Sequence, residues 1–145
     1  MIEVVGAVFY DQDLDSFLVA QRAEGLKFPL KWEFIGGKRE ENDDDLFKAV
    51  EREVKEEINK QVKATRILGT SNIDYAGDLG NIMVYFIECV GLAGEVTKDP
   101  KIHNQVLWEK REKMGDIDWV EGDIKFAKTL ANGKDFWNVE NPLAS

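Results

Sequence analysis

Glu53, Glu56 and Glu57 stand at helical spacing in the run Arg52-Glu53-Val54-Lys55-Glu56-Glu57. If Asp44 or Asp45 starts a helix, an advance of about 100° per residue places Phe47, Val50, Val54 and Ile58 on one core-facing stripe. Lys48, Glu51, Lys55 and Asn59 then fall on the solvated side, and the three glutamates gather at the flank of the stripe, neither buried nor free. Like charges at i,i+3 and i,i+4 repel by about 0.2–0.5 kcal/mol per exposed pair, and by more where water is partly excluded. Something must offset that repulsion. Ion pairing is one device, since Arg52 reaches Glu56 a turn further on. A hard divalent cation is the other: Mg²⁺ takes oxygen ligands, keeps several waters and commonly joins a few carboxylates to substrate phosphates.

What precedes the helix favours the cation. Trp32-Glu33-Phe34-Ile35-Gly36-Gly37-Lys38 reads as a short apolar strand ending in two glycines, which permit a tight turn and a close approach of backbone to a ligand or metal. Strand, glycine turn and carboxylate helix together resemble the signature of the Nudix hydrolases, in particular the MutT-like nucleoside triphosphate pyrophosphohydrolases. Gly37 matches the leading glycine of that signature. Arg52, Glu53, Val54, Glu56 and Glu57 match its core, and Ala49 fits its usual small residue. Between Gly37 and Arg52 the chain is one residue longer than the family pattern, so the family's first glutamate falls on Asp43 or Asp44. The family glycine after the helix is Asn59 here, a residue that also adopts the left-handed conformation this position requires. The aliphatic residue after it is Lys60, with Val62 nearby.

The resemblance implies an α+β fold, a Nudix-like mixed β-sheet sandwiched between helices, as a single domain over residues 1–145 with the signature loop and helix at 36–60. It also implies a site. Glu53, Glu56 and Glu57 are metal ligands, joined by the carbonyl of Gly36; Glu53 doubles as general base, and Arg52 and Glu57 complete the catalytic set. Arg22, Gly37 and Lys38 bind the substrate, and Asp123 lies near its base. Some members take a further metal carboxylate from the loop before the late strand, near His103-Asn104-Gln105, where this chain has only Asp99 upstream and Glu109 downstream. His103, the only histidine, reads as a loop residue rather than a base. The planar fork of Arg52 suits bidentate pairing with a carboxylate, so it is expected to orient a glutamate rather than contact phosphate.

The expected reaction is Mg²⁺-dependent hydrolysis, with Mn²⁺ as a substitute, of a nucleoside triphosphate to its monophosphate and pyrophosphate. CTP, dCTP and oxidised purine triphosphates are the candidate substrates. Two other readings stay open: the same chemistry on a sugar nucleotide or dinucleotide, and a nucleotide-binding module without turnover. Retention of all three glutamates favours the enzyme, because a module released from catalysis has no need of a mutually repelling set.

The rest of the chain bounds these expectations. Its 145 residues, 43% hydrophobic and 10% aromatic, suit one globular domain with a core of its own. The first residues lack the basic start and long apolar run of a signal peptide, and no stretch approaches the roughly 20 apolar residues that span a bilayer, so a cytoplasmic protein without membrane contact is expected. Cys89 is the single cysteine and lies in a strand-like run, where a buried small side chain is expected rather than a nucleophile. A formal net charge of −9, from 28 acidic and 19 basic residues, argues against a polynucleotide-binding surface. Yet Arg22, Lys27, Lys31, Lys38 and Arg39 crowd one segment against only Glu24 and Glu33, a place to hold a small polyanion. The expected partner is a small-molecule nucleotide, met by a monomer or homodimer.

Coarse patterning predicts strands over Glu3 to Asp11 and Phe17 to Arg22, joined by a turn into a hairpin. After the helix, Val62 to Tyr75 and Ile82 to Val90 are predicted as an antiparallel pair turned by Asp78-Leu79-Gly80-Asn81. Gly91 to Gln105 reads as loop and Val106 to Lys110 as a short strand. Asp123 to Leu130 reads as a final helix that Asp123 caps.

Overall fold

The computed structural model describes residues 1–75 and 80–133. The predicted turn therefore lies largely outside the described residues: Asp78 and Leu79 are not among them, while Gly80 and Asn81 belong to a strand.

The first apolar run divides rather than forming one arm of a hairpin. β1 (Ile2–Val8) and β2 (Tyr10–Asp11) part at Phe9 and enter different sheets. β1 alternates its side chains between two cores, Val5 and Ala7 on one side and Val4 and Val8 on the other, as the two-residue period of a strand requires. The short β2 makes the hairpin with β3 (Ser16–Arg22), pairing Tyr10 with Phe17 and Asp11 with Ser16.

The Trp32 to Lys38 run divides in the same way. β4 (Trp32–Glu33) pairs with β3, and β5 (Ile35–Lys38) pairs antiparallel with β1. Gly36 and Gly37 thus sit inside a strand, not in a tight turn, and neither has positive φ. Close approach is what Gly36 supplies: a Cβ there would lie 1.8 Å from the Val5 carbonyl oxygen.

Helix α1 (Leu46–Ile58) is capped by Asp45, whose side chain accepts the Lys48 N–H, and it ends at Asn59 in the left-handed region at φ 54° and ψ 43°. Both ends agree with the sequence reading. Past it, β6 (Lys63–Tyr75) and β7 (Gly80–Val90) form the expected antiparallel pair, and β7 also runs parallel to β1. β8 (His103–Lys110) starts earlier than its predicted Val106, because its first residues pair with the end of β3. A 3₁₀ helix at Arg111–Asp116 leads to α2 (Glu121–Asn132).

Among the described residues the strands form two four-stranded sheets, β5-β1-β7-β6 and a second in which β3 pairs with β2, β4 and β8. Val50, Val54 and Ile58 of α1 pack into one core with Val5, Ala7 and Ile87 from the first sheet and Leu18 and Ala20 from the second. At about 1.5–3 kcal/mol per fully buried aliphatic side chain, this stripe fixes the helix against both sheets. α2 closes the other core, where Phe126 stacks on Phe86 at 4.2 Å and Trp119 stacks on Phe34 at 5.0 Å. Cys89 is buried as expected, and burial pushes its thiol up to about 12. Among the described residues no helix is long and apolar enough to cross a membrane.

Asp123 does not cap α2. The helix starts at Glu121, behind Val120, with no side-chain cap. Asp123 turns inward from the first turn, and its Oδ2 accepts the Phe34 N–H at 3.1 Å. That amide lies where β4 gives way to β5, and a buried N–H demands a partner.

Candidate active site

The stripe that seats α1 also grades its three glutamates. Glu56 is largely exposed, Glu53 is nearly covered, and the Glu57 side chain is only 7% exposed. The gathering at the flank is as expected, but Glu57 is buried. Burial first, then a hydrogen bond and like charge from Glu53 and the charge of Glu33, push the Glu57 carboxyl up to about 10. Its Oε2 is buried with no hydrogen-bond partner among the described residues. Glu51, expected in solvent, is half-buried and accepts the Ala64 N–H at 2.9 Å, which ties α1 to the start of β6.

Arg52 orders this face. Its Nε and Nη2 grip the two oxygens of Asp43 at 2.8 and 2.9 Å, its Nη1 reaches Glu53 at 3.1 Å and Glu56 at 3.0 Å, and its Nη2 also donates to the Lys38 carbonyl. The bidentate partner is therefore Asp43, and Arg52 holds that buried carboxyl below its usual range. Of the two aspartates aligned with the family's first glutamate, Asp43 is the one in this network. Asp44 is exposed, and its backbone carbonyl accepts from Arg39.

Gly37 links the carboxylates to the neighbouring cavity: a Cβ there would meet Glu53 Oε2 at 2.7 Å, and the same residue lines a space of about 320 Å³. Phe34, Ile73, Ile82 and Val84 give that cavity apolar walls, and Asp123 stands among them. Burial, and secondarily the charge of Glu33, push the Asp123 carboxyl up to about 8. Arg22, Lys27 and Lys38 bring positive charge to the same space. The other two members of the basic segment go elsewhere, Lys31 to Asp118 at 2.7 Å and Arg39 to Glu3 at 3.0 Å. Arg22 is itself anchored, donating to the Lys27 carbonyl at 2.6 Å and pairing with Glu33 at 3.0 Å.

The structure thus brings Arg22, Gly36, Gly37, Lys38 and Asp123 around one cavity, with Glu53 against Gly37 and Glu57 beside it. Two residues of this neighbourhood escaped sequence reasoning. His103 is not in a loop: it opens β8 and is fully buried, its Nε2 3.1 Å from Glu33 Oε2 and 3.4 Å from Glu57 Oε1. Glu33, Glu57 and His103 place one ligand atom each within 4.8 Å of one another. The charge of Glu33 within an otherwise apolar strand was a signal that could have found it. Nothing local marked His103.

The donor set fits a hard cation. The α1 carboxylates offer oxygen ligands, one buried oxygen of Glu57 has no partner, and the glycine edge leaves room that a side chain would fill.

Known proteins share this fold. The NUDIX domain matches residues 2–130. No curated protein matches the chain by sequence. Among solved structures, a MutT protein from Methanosarcina mazei Go1 shares the fold with a TM-score of 0.76 at 22% identity, over 89% of this chain and 91% of that one. The DNA mismatch repair protein MutT, family Nudix hydrolase, from methicillin-resistant Staphylococcus aureus 252 gives 0.67 at 28% identity, over 90% and 95%. An ADP-ribose pyrophosphatase from Streptococcus suis 89-1591 gives 0.63 at 21% identity, over 90% and 87%. The family match over most of the chain, with this α+β fold, defines a pyrophosphohydrolase of the Nudix type. The chain belongs to the Nudix hydrolase family.

Proposed function

We propose that the protein hydrolyses a nucleoside triphosphate, of the CTP or dCTP kind or an oxidised purine triphosphate, to the monophosphate and pyrophosphate, with Mg²⁺ as cofactor and Mn²⁺ as substitute, in the cytoplasm. The observation that carries this reading is the continuity at Gly37, where the α1 carboxylates and the basic, apolar-walled cavity share an edge. A base is accommodated by the walls of Phe34, Ile73, Ile82 and Val84, with Asp123 as the polar group among them. Arg22, Lys27 and Lys38 hold the polyphosphate.

Glu53, Glu56 and Glu57, with Gly36, would hold the cation. When bound, it supplies charge neutralisation at the anhydride oxygens and lowers the pKa of an attacking water. Glu53 serves as general base. Arg52 keeps Glu53 and Glu56 in place while itself locked on Asp43, so its fork is satisfied by carboxylates and not by phosphate. A second reading is the same hydrolysis on a sugar nucleotide or dinucleotide, favoured by the fold shared with the ADP-ribose pyrophosphatase.

Product chromatography on a panel of triphosphates, sugar nucleotides and dinucleotides, with Mg²⁺ and then with excess chelator, tests this. The expected outcome is monophosphate plus pyrophosphate from a triphosphate, abolished by chelator. Diphosphate plus orthophosphate would mean that the outer bond is cleaved. Activity confined to sugar nucleotides or dinucleotides would sink the triphosphate assignment and leave the metal site standing.

A further inference from the structure

We infer that His103 is a positioning residue: from the sheet it holds Glu33 and Glu57 side by side and so sets the orientation in which Glu57 meets a cation. This rests on the reading of Glu57 as a cation ligand given above.

Strand pairing makes the arrangement. Arg22 of β3 stands opposite His103 of β8, at a register shift after Gln21, while Ala20 of β3 stands opposite Glu33 of β4. Three neighbouring strands thus bring Arg22, Glu33 and His103 into one row of side-chain contacts, staggered along β3, and α1 brings Glu57 against it. Arg22 Nη1 holds Glu33 Oε1 at 3.0 Å, Glu33 Oε2 meets His103 Nε2 at 3.1 Å, and the same nitrogen lies 3.4 Å from Glu57 Oε1. The row is closed to solvent at its centre, with the His103 side chain at 0% exposure.

Two roles for the ring fit those distances. Bonds of about 2.1 Å to a shared cation would separate neighbouring ligand atoms by roughly 3.0 Å in octahedral and 3.4 Å in tetrahedral geometry. A single Nε2–H standing between two carboxylates gives the same spacing. His103 Nδ1 separates them. An imidazole bound to metal through Nε2 carries its proton on Nδ1 and almost always donates it to a carboxylate, carbonyl or water. Here Nδ1 is buried and has no partner among the described residues. A bare lone pair tolerates that position better than an N–H does, which puts the proton on Nε2, bonded to Glu33 Oε2 with Glu57 Oε1 in contact at 3.4 Å.

The consequence falls on Glu57. With Oε1 against the ring, its buried and unpartnered Oε2 is the oxygen left for a cation. Without the ring, Glu33 loses its donor and Glu57 loses the contact beside Oε1, which leaves only Glu53 and the Gly36 backbone to set the rotation of the Glu57 carboxylate. Arg22 keeps Glu33 from following Glu57 toward the cation, so the row has a fixed end.

Mn²⁺ titration of the metal-free protein, read by the electron paramagnetic resonance of free Mn²⁺, tests the inference without turnover. His103→Leu is expected to weaken Mn²⁺ binding by about 10–100-fold, the usual cost of losing a group that orients a ligand. His103→Gln, which restores an N–H donor at similar reach, should recover most of that loss. Thermal melts of both variants separate misfolding from misplacement, and if the leucine variant does not fold, the glutamine variant and the wild-type spectrum decide. Spin-echo spectra of the Mn²⁺-loaded wild type should show no directly bound imidazole nitrogen. Unchanged affinity in a folded leucine variant would overturn the inference alone, as would a directly bound nitrogen in the wild type. A wild type that binds no Mn²⁺ would overturn the inference together with the cation site it rests on.

Discussion

Asp123 shows how much one inward-turned side chain can decide. Short polar residues near a helix start are expected to cap it, yet Val120 holds the cap position and Asp123 reaches across to the Phe34 amide. Burial pushes its carboxyl up to about 8 from an ordinary 3.8, so the folded protein holds this proton more tightly than the unfolded chain does. A raised pKa contributes stability that is fully present below about pH 4 and lost as pH rises towards 8. The slope is at most about 1.4 kcal/mol per pH unit. Asp123→Asn keeps an acceptor for Phe34 N–H without the titration. Melts of variant and parent compared across this range should show the asparagine variant gaining as pH rises. A constant difference would mean that the carboxyl titrates normally. Because Glu57, also raised, is present in both proteins, the comparison isolates Asp123.

At the scale of elements, α1 was the most legible part of the chain because everything that defines it is local. The stripe of Val50, Val54 and Ile58, the cap at Asp45 and the left-handed Asn59 all follow from spacing and residue type. Asn59→Gly should therefore be neutral or mildly stabilising, whereas Asn59→Val should cost on the order of 1 kcal/mol or more, since a β-branched side chain clashes in that conformation. Thermal melting checks it, and a valine variant that melts no lower than the parent would mean that the helix ends elsewhere. The misread elements depend on pairing between distant residues. The break at Phe9, the split at Phe34 and the early start of β8 are set by which sheet each segment joins, and hydrophobic alternation does not encode that choice. The same cause hid Glu33 and His103, which meet only because β4 and β8 flank β3.

For the whole molecule, a net charge of −9 coexists with a cavity that gathers Arg22, Lys27 and Lys38. On the proposed reading these local basic groups are the ones that hold a short polyanion. The cavity draws on residues from Val4 to Asp123, and it meets the carboxylate helix because β5 lies beside both β1 and α1. On the same proposed reading the α1 glutamates are a catalytic cation site rather than a structural acidic cluster. Turnover of Glu53→Gln and Glu57→Gln under saturating Mg²⁺ tests it most directly, because each change keeps the side-chain shape and removes the charge. The expected result is a kcat at least about a hundredfold lower in each, as for loss of a key electrostatic group, with the fold intact by thermal melting. Near-normal turnover in both folded variants would contradict it.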